Sequence, residues 1–255
     1  MPLLSVLTAT LNDRSELLGA AGDSLAAQRL PAGWELEWIV EEDGERPCLA
    51  EVVGRFPFAR HQGVGERIGV AAARNLALSR AAGSLVHVLD SDDLILPDGL
   101  AVAIEAFHAH PAIGWVAGQA DDLLPDSTRV PVPLRLPPGL VRPGEISALI
   151  TEYERSPVHP AGLTMRTAVV RALGGWTAVP RSEDNALLAA IAELTPGYIT
   201  AQVTWLYRLH HGQTTRHPRW PVLDPLSWTV VHQRIEAVRE VGLQLGAAAQ
   251  PQGGR

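Results

Sequence analysis

The spacing of apolar residues changes period several times along the chain. Leu4 to Thr10 is a β-prone apolar run that breaks at Asn12-Asp13, residues suited to capping a helix. From Ser15 to Gln28 the apolar positions Leu17, Leu18, Ala21, Leu25 and Ala26 recur at helical intervals. Leu36 to Val40 predicts a strand that ends in Glu41-Glu42-Asp43-Gly44. Gly69 to Ala82 predicts a helix stopped by Gly83. Leu85 to Leu89 is a further strand, running directly into Asp90-Ser91-Asp92-Asp93, and Pro97 to His110 a further helix. This alternation predicts βαβ units, an α/β fold and a mostly parallel, Rossmann-like central sheet flanked by helices.

The second half has a different texture. Residues 121–145 contain Pro125, Pro131, Pro133, Pro137, Pro138 and Pro143, which predicts an extended connection. Leu163 to Leu173 reads as strand then helix, closed by Gly174-Gly175. Ser182 to Leu194 reads as a helix with an acidic first turn, and Ile199 to Tyr207 as a strand. Leu226 to Leu245 is amphipathic, with Trp228, Val231, Ile235, Val238 and Leu245 on one face that packs on the chain's own core or on a second subunit. The tail Ala247 to Arg255 reads as disordered, and no internal repeat is present.

Composition narrows the chemistry. The chain has 255 residues, 46% of them apolar and 19% charged, an ordinary globular balance. Its formal charge of −7 argues against binding driven by polynucleotide phosphate. Cys48 is the only cysteine, so there is neither an intrachain disulfide nor a cysteine zinc site. All 21 basic side chains are Arg, which excludes lysine Schiff-base chemistry and a P-loop lysine. The N-terminus lacks a basic leader, and no apolar stretch nears the roughly 20 residues needed to span a bilayer. A soluble, cytoplasmic protein, monomeric or homodimeric, is expected.

Strand ends carry the candidate chemistry. In open α/β sheets ligands bind beyond the carboxyl ends of the strands, so Asn12, Glu42, Asp43, Asp90, Asp92 and Asp93 are expected to border one crevice. Clustered carboxylates need a compensating cation, and an Asp-x-Asp at a strand end suits Mg2+ or Mn2+ shared with substrate phosphates. The plain alternative is that Asp92 or Asp93 caps the helix that follows.

The ordered set Ser5-Val6-Leu7-Thr8 with Asn12, Ile39 to Gly44, Arg67 to Asn75, Ala82-Gly83, Leu89 to Asp93, Gly174-Gly175-Trp176, Glu183-Asp184 and Tyr207 to His210 resembles family 2 glycosyltransferases. The resemblance covers about residues 4–215. It implies a GT-A fold, with a donor-binding half over residues 1–118, an acceptor-binding half over 119–220, and a C-terminal helix and tail over 221–255. It also implies inverting transfer of a sugar from a nucleoside diphosphate sugar, a UDP-sugar by preference, to an acceptor that the sequence does not identify. By the same resemblance Asp92 looks like a direct metal ligand and Asp90 a ribose or metal contact. Glu42 or Asp43 would read the base; the family usually has Asp-Asp-Gly-Ser where this chain has Glu42-Asp43-Gly44-Glu45, which leaves the nucleotide open. His210 stands where relatives carry a histidine for the metal or diphosphate, with His211 beside it. Thr10, Asn12 and Ser91 belong to the same nucleotide pocket.

Arg67, Arg74 and Arg208 are the candidate phosphate cations, each alternatively a structural arginine, with Arg74 favoured as a wall of the nucleotide pocket. Asp184 is the candidate general base, with Glu183 orienting a partner; adjacent helical residues diverge by about 100°, so only one should aim at the acceptor. Simple acidic capping of the helix would also explain the pair. Trp176 is either an acceptor-stacking ring or core, and His159 a candidate for the acceptor cleft. Competing classes are a non-catalytic nucleotide-sugar-binding module, a sugar nucleotidyltransferase, which would want a Gly-rich loop after the first strand, and an Asp-x-Asp phosphatase. A processive synthase would add membrane spans and a Gln before Arg219-Trp220.

Overall fold

In the computed structural model, which describes residues 1–153, 155–159 and 161–243, the longest apolar runs become the most deeply buried strands. The first part of the chain forms β1 (Leu3–Thr10), α1 (Ser15–Ala26), β2 (Glu35–Glu42), α2 (Ala50–Val53), β3 (Ala59–Gly63), α3 (Val70–Arg80), β4 (Leu85–Val88), β5 (Leu94–Ile95) and α4 (Gly99–Ala109). The second part forms β6 (Trp115–Leu123), β7 (Arg129–Pro131), β8 (Gly139–Val141), α5 (Glu145–Tyr153), β9 (Leu163–Arg166), α6 (Thr167–Ala172), α7 (Glu183–Leu194), β10 (Gly197–Arg208) and α8 (Trp220–Val241).

These strands make one sheet in the order β3-β2-β1-β4-β9-β6-β10-β5, with β7 on β6 and β8 on β10. The first four run parallel, as the βαβ pattern predicts. β9 then enters antiparallel to both β4 and β6, so the whole sheet is mixed. Registers Leu7↔Ile39 and Leu7↔Val88 bring the carboxyl ends of β1, β2 and β4 side by side. Alternation along the strands divides the core between the two faces. Leu7, Ile39, Val86 and Val88 join α3, α5, α7 and α8 on one; Val6, Trp38, Val40 and Leu85 join α1 and α4 on the other.

Several local expectations change. Arg14, not Asn12 or Asp13, holds the cap position of α1, without a side-chain capping bond. The Asp90–Asp93 turn leads into β5, and the next helix begins after Asp98, so the acidic cluster caps no helix. The proline-rich segment is not merely a connection. β6 runs to Leu123, β7 pairs with β6 as a short edge strand that tolerates Pro131 at its end, and the proline-free β8 pairs with β10. β3 buries none of its residues fully, exposes Arg60 and Gln62, and pairs through its backbone.

α8 begins at Trp220 with Pro221 in its first turn, before the apolar periodicity starts. Ser227, Val231 and Ile235 are buried, and Trp228 packs against the same core cluster, so this face covers the chain's own α7. Leu245 and the tail from Ala247 lie outside the described residues. Because Ile235 is 1% exposed, Ile235→Ala should cost about 2–5 kcal/mol, read as a lower urea midpoint at unchanged slope.

Candidate active site

The carboxyl ends of β1, β2 and β4 open onto a cavity of about 360 Å3. Thr10, Asp43, Arg67, Asp90, Ser91 and Asp92 line one side; His159, Glu183 and Asp184 line the other, with Arg74 between. Asp43 accepts hydrogen bonds from the N–H groups of Ile68 (2.6 Å) and Gly69 (3.0 Å), fixing the loop that enters α3. Gly69 has φ of 89°, a conformation that favours glycine.

Its neighbour Glu42 faces the other way. The Glu42 carboxylate accepts from the N–H groups of Cys48 and Leu49 and pairs with His61 at 2.8 Å, and it does not line the cavity. Of the two candidates for reading the base, only Asp43 is at the cavity, because successive residues at a strand end point to opposite sides. Asn12 is exposed beside Gly44, away from the cavity wall.

Arg74 is 3% exposed, and its guanidinium binds three carboxylates. Nη2 donates to Asp90 Oδ1 (2.6 Å), and Nη1 donates to both Glu183 Oε1 (2.7 Å) and Asp184 Oδ1 (2.5 Å). Burial disfavours the cation, but the surrounding charges of Asp184, Asp90 and Glu183 outweigh it and raise its pKa. Arg74 is therefore committed to carboxylates rather than offered to phosphate. Glu183 and Asp184, expected to diverge, converge on the same nitrogen, since both flank the cavity at the first turn of α7.

The residue after Arg74 organises the opposite wall. Asn75 accepts from the Trp176 N–H (2.9 Å) and donates to the Trp176 carbonyl (2.9 Å). Trp176 is 2% exposed and does not line the cavity, so it is not placed to stack on an acceptor. Its indole Nε1–H donates to Asp184 Oδ1 at 3.0 Å. Burial pushes the Asp184 carboxyl up, Arg74 opposes the shift, and Glu183 and Asp90 add to it, to a value of about 7. Ser182, just before, sits at φ of 57°, and its hydroxyl donates to Asp224 of α8 (2.7 Å) rather than capping α7.

Asp92 Oδ2 lies 2.8 Å from His210 Nε2. The Gly212 N–H donates to His210 Nδ1 (3.2 Å), and that bond assigns the ring proton to Nε2, which donates to Asp92. Arg14 Nη1 also donates to Asp92 Oδ2, at 2.7 Å. Among the described residues no group of three metal-ligating side chains converges. An Asp oxygen beside an imidazole nitrogen nevertheless fits a hard divalent cation whose other ligands are phosphates and water. Asp93 is 1% exposed; its Oδ1 accepts the Arg208 N–H (2.9 Å), and Arg208 Nε donates to the Asp92 carbonyl (2.9 Å). Arg208 is thus tied to the acidic turn and is not on the cavity wall, and this clasp carries His210 to Asp92.

The sequence model of glycosyl transferase family 2 matches residues 5–138, more than half of the chain. The chain belongs to that family. A curated relative, the uncharacterized protein y4gI of Sinorhizobium fredii, is 28% identical over 132 residues, which span 50% of this chain and 14% of that protein. Among solved structures, S. aureus TarS 1-349 in complex with UDP-GlcNAc matches with a TM-score of 0.72 at 19% identity, over 97% of this chain and 69% of that one. The UDP complex of the same fragment gives 0.68 at 20% identity, over 97% and 68%, and TarS itself 0.66 at 19%, over 97% and 41%. At these identities the likeness is one of fold.

The family 2 motifs do not single out Arg14, whose contacts reach 78 residues to Asp92 and 196 to His210. The β10 segment supplies a second unanticipated wall: Tyr207 lines the cavity and packs its ring 5.0 Å from that of His159, with Gln213 and Trp220 nearby on the lining. His159 itself is exposed and lines the cavity.

Two outcomes follow from this family 2 site. Arg74→Met strips the shared cation from buried carboxylates and should lower unfolding free energy by about 3–5 kcal/mol in urea titration at pH 8. Asp184 is protonated below its pKa of about 7 and ionised above it. Any reaction needing it as a base should gain kcat/KM as pH rises toward 7 and level off beyond, and a profile flat from pH 5.5 to 8 would contradict that role.

Proposed function

We propose that this chain is a metal-dependent, inverting glycosyltransferase acting on a nucleoside diphosphate sugar, a UDP-sugar by preference. The observation that carries the reading is that one buried guanidinium joins Asp90, on the strand-end side of the cavity, to Asp184, on the opposite side. Family membership and the UDP and UDP-GlcNAc complexes of the structurally similar TarS support a nucleotide-sugar donor. Residues 1–118 would form the donor half and residues 119–220 the acceptor half.

Thr10, Asp43, Arg67, Asp90 and Ser91 would hold the nucleotide along the ends of β1, β2 and β4. Asp92, with His210, would hold Mn2+ or Mg2+, whose role when bound is to offset charge on the departing diphosphate. Asp184 takes the proton from the acceptor nucleophile, whose lone pair then forms the new bond to the anomeric carbon. The bond from that carbon to the diphosphate oxygen breaks on the far side and its electrons leave with the nucleotide, which inverts the centre. Glu183 shares Arg74 with the base and keeps that guanidinium in place. His159 and Tyr207 flank the acceptor's approach.

The test is a paired substitution. Asp184→Asn should keep UDP binding and lose turnover by about 10^2–10^4-fold, while Asp92→Asn should lose the Mn2+-dependent part of UDP binding. UDP release measured across sugar donors, beside thermal shift with UDP and Mn2+, reads both. Normal turnover in Asp184→Asn removes it as base, and UDP binding without turnover on any donor or acceptor favours a binding module.

A further inference from the structure

Arg14 lies where the metal reading of the site leaves no room for it. Its guanidinium lines the cavity, and its side chain is only 11% exposed. Nη1 donates to Asp92 Oδ2 at 2.7 Å and stands 3.2 Å from His210 Nε2, while Nη2 donates to the Gly212 carbonyl at 2.7 Å. One cation therefore already occupies the oxygen and faces the nitrogen that would ligate a divalent ion.

The two occupants exclude each other for four reasons. Asp92 Oδ2 already accepts from both Arg14 and His210, so a metal on that oxygen must displace a donor. Nε2 carries the ring proton because Nδ1 accepts from the Gly212 N–H; ligation through Nε2 needs its lone pair, which moves the proton to Nδ1 and breaks that bond. Arg14 holds the carbonyl of the same Gly212, so the 210–212 turn and the guanidinium must let go together. A guanidinium and a divalent ion a few ångströms apart also repel.

We propose that Arg14 is a built-in cation that competes with the divalent metal for Asp92 and His210, so that metal is admitted efficiently only with the nucleotide diphosphate. This rests on the metal-dependent reading above. A diphosphate supplies both extra oxygen ligands for the metal and a new anionic partner for the released guanidinium, whose fork suits phosphate oxygens. Metal and nucleotide binding are then positively coupled through Arg14, and by linkage each tightens the other equally.

The experiment is a Mn2+ titration of the full chain, by electron paramagnetic resonance of free Mn2+, with and without UDP, in the wild type and in Arg14→Gln. Without UDP, Arg14→Gln should bind Mn2+ at least about tenfold more tightly than the wild type, and UDP should improve Mn2+ affinity less in the variant. Equal or weaker Mn2+ binding by a folded Arg14→Gln, while the wild type binds Mn2+ with UDP, overturns the Arg14 proposal alone. Absence of Mn2+ binding in every sample, UDP included, overturns this proposal and the metal reading together. Should Arg14→Gln not fold, the wild type decides: adding Mg2+ to its UDP complex should move the Arg14 side-chain Nε resonance in NMR spectra. A resonance that stays in place overturns the proposal.

Discussion

Arg74 places one positive charge among three carboxylates in a setting where burial penalises each ion left alone. The balance is unequal: burial drives the Asp184 carboxyl upward, Arg74 pulls it back, and the neighbouring charges of Glu183 and Asp90 add to the rise, so one cation does not restore it to the ordinary carboxylate range. Removing water strengthens both the attractions and the repulsions in this group, so small changes in its geometry move the proton affinity of the acid on the acceptor side. Structural stability and proposed chemistry are thereby written into the same set of bonds.

The supporting elements serve that set. α3 contributes Arg74 to the carboxylates and Asn75 to the Trp176 backbone, so a single helical turn fixes both the counter-ion and the indole that touch Asp184. α8 anchors the entry to α7 through Asp224 and Ser227, which receive Ser182 and Arg181. On the donor side Asp93 and Arg208 clasp the acidic turn to the end of β10. The site is thus held from four elements distant in sequence, none of which would be positioned by local propensity alone.

Much of the parallel half was legible because its strands and helices bury one face at a regular period. β1, β2, β4, α1, α3 and α4 all follow from that rule. β3 escaped it because Ala59-Arg60-His61-Gln62-Gly63 lacks an apolar stripe; β9 was legible as a strand, but its antiparallel place between β4 and β6 is a fact about partners, not about its own residues. At the site the strand-end carboxylates and the Glu183-Asp184 pair were visible as residue types in order. Their division of labour was not: Glu42 and Asp43 differ only in which way the strand end turns, and whether Arg74 meets phosphate or carboxylate depends on α7, more than a hundred residues away. Arg14 was invisible for the same reason.

The placing of β9 has a consequence for how the chain reaches this state. β6 comes earlier in sequence yet lies further out, and β9 is the strand between it and β4. Until residues 163–166 are available, the β4 edge stays open and β6 has no strand through which to join the parallel half. Closing the sheet is therefore a late, long-range event of the kind that slows folding, and a chain still emerging from the ribosome would expose an unpaired edge throughout that interval.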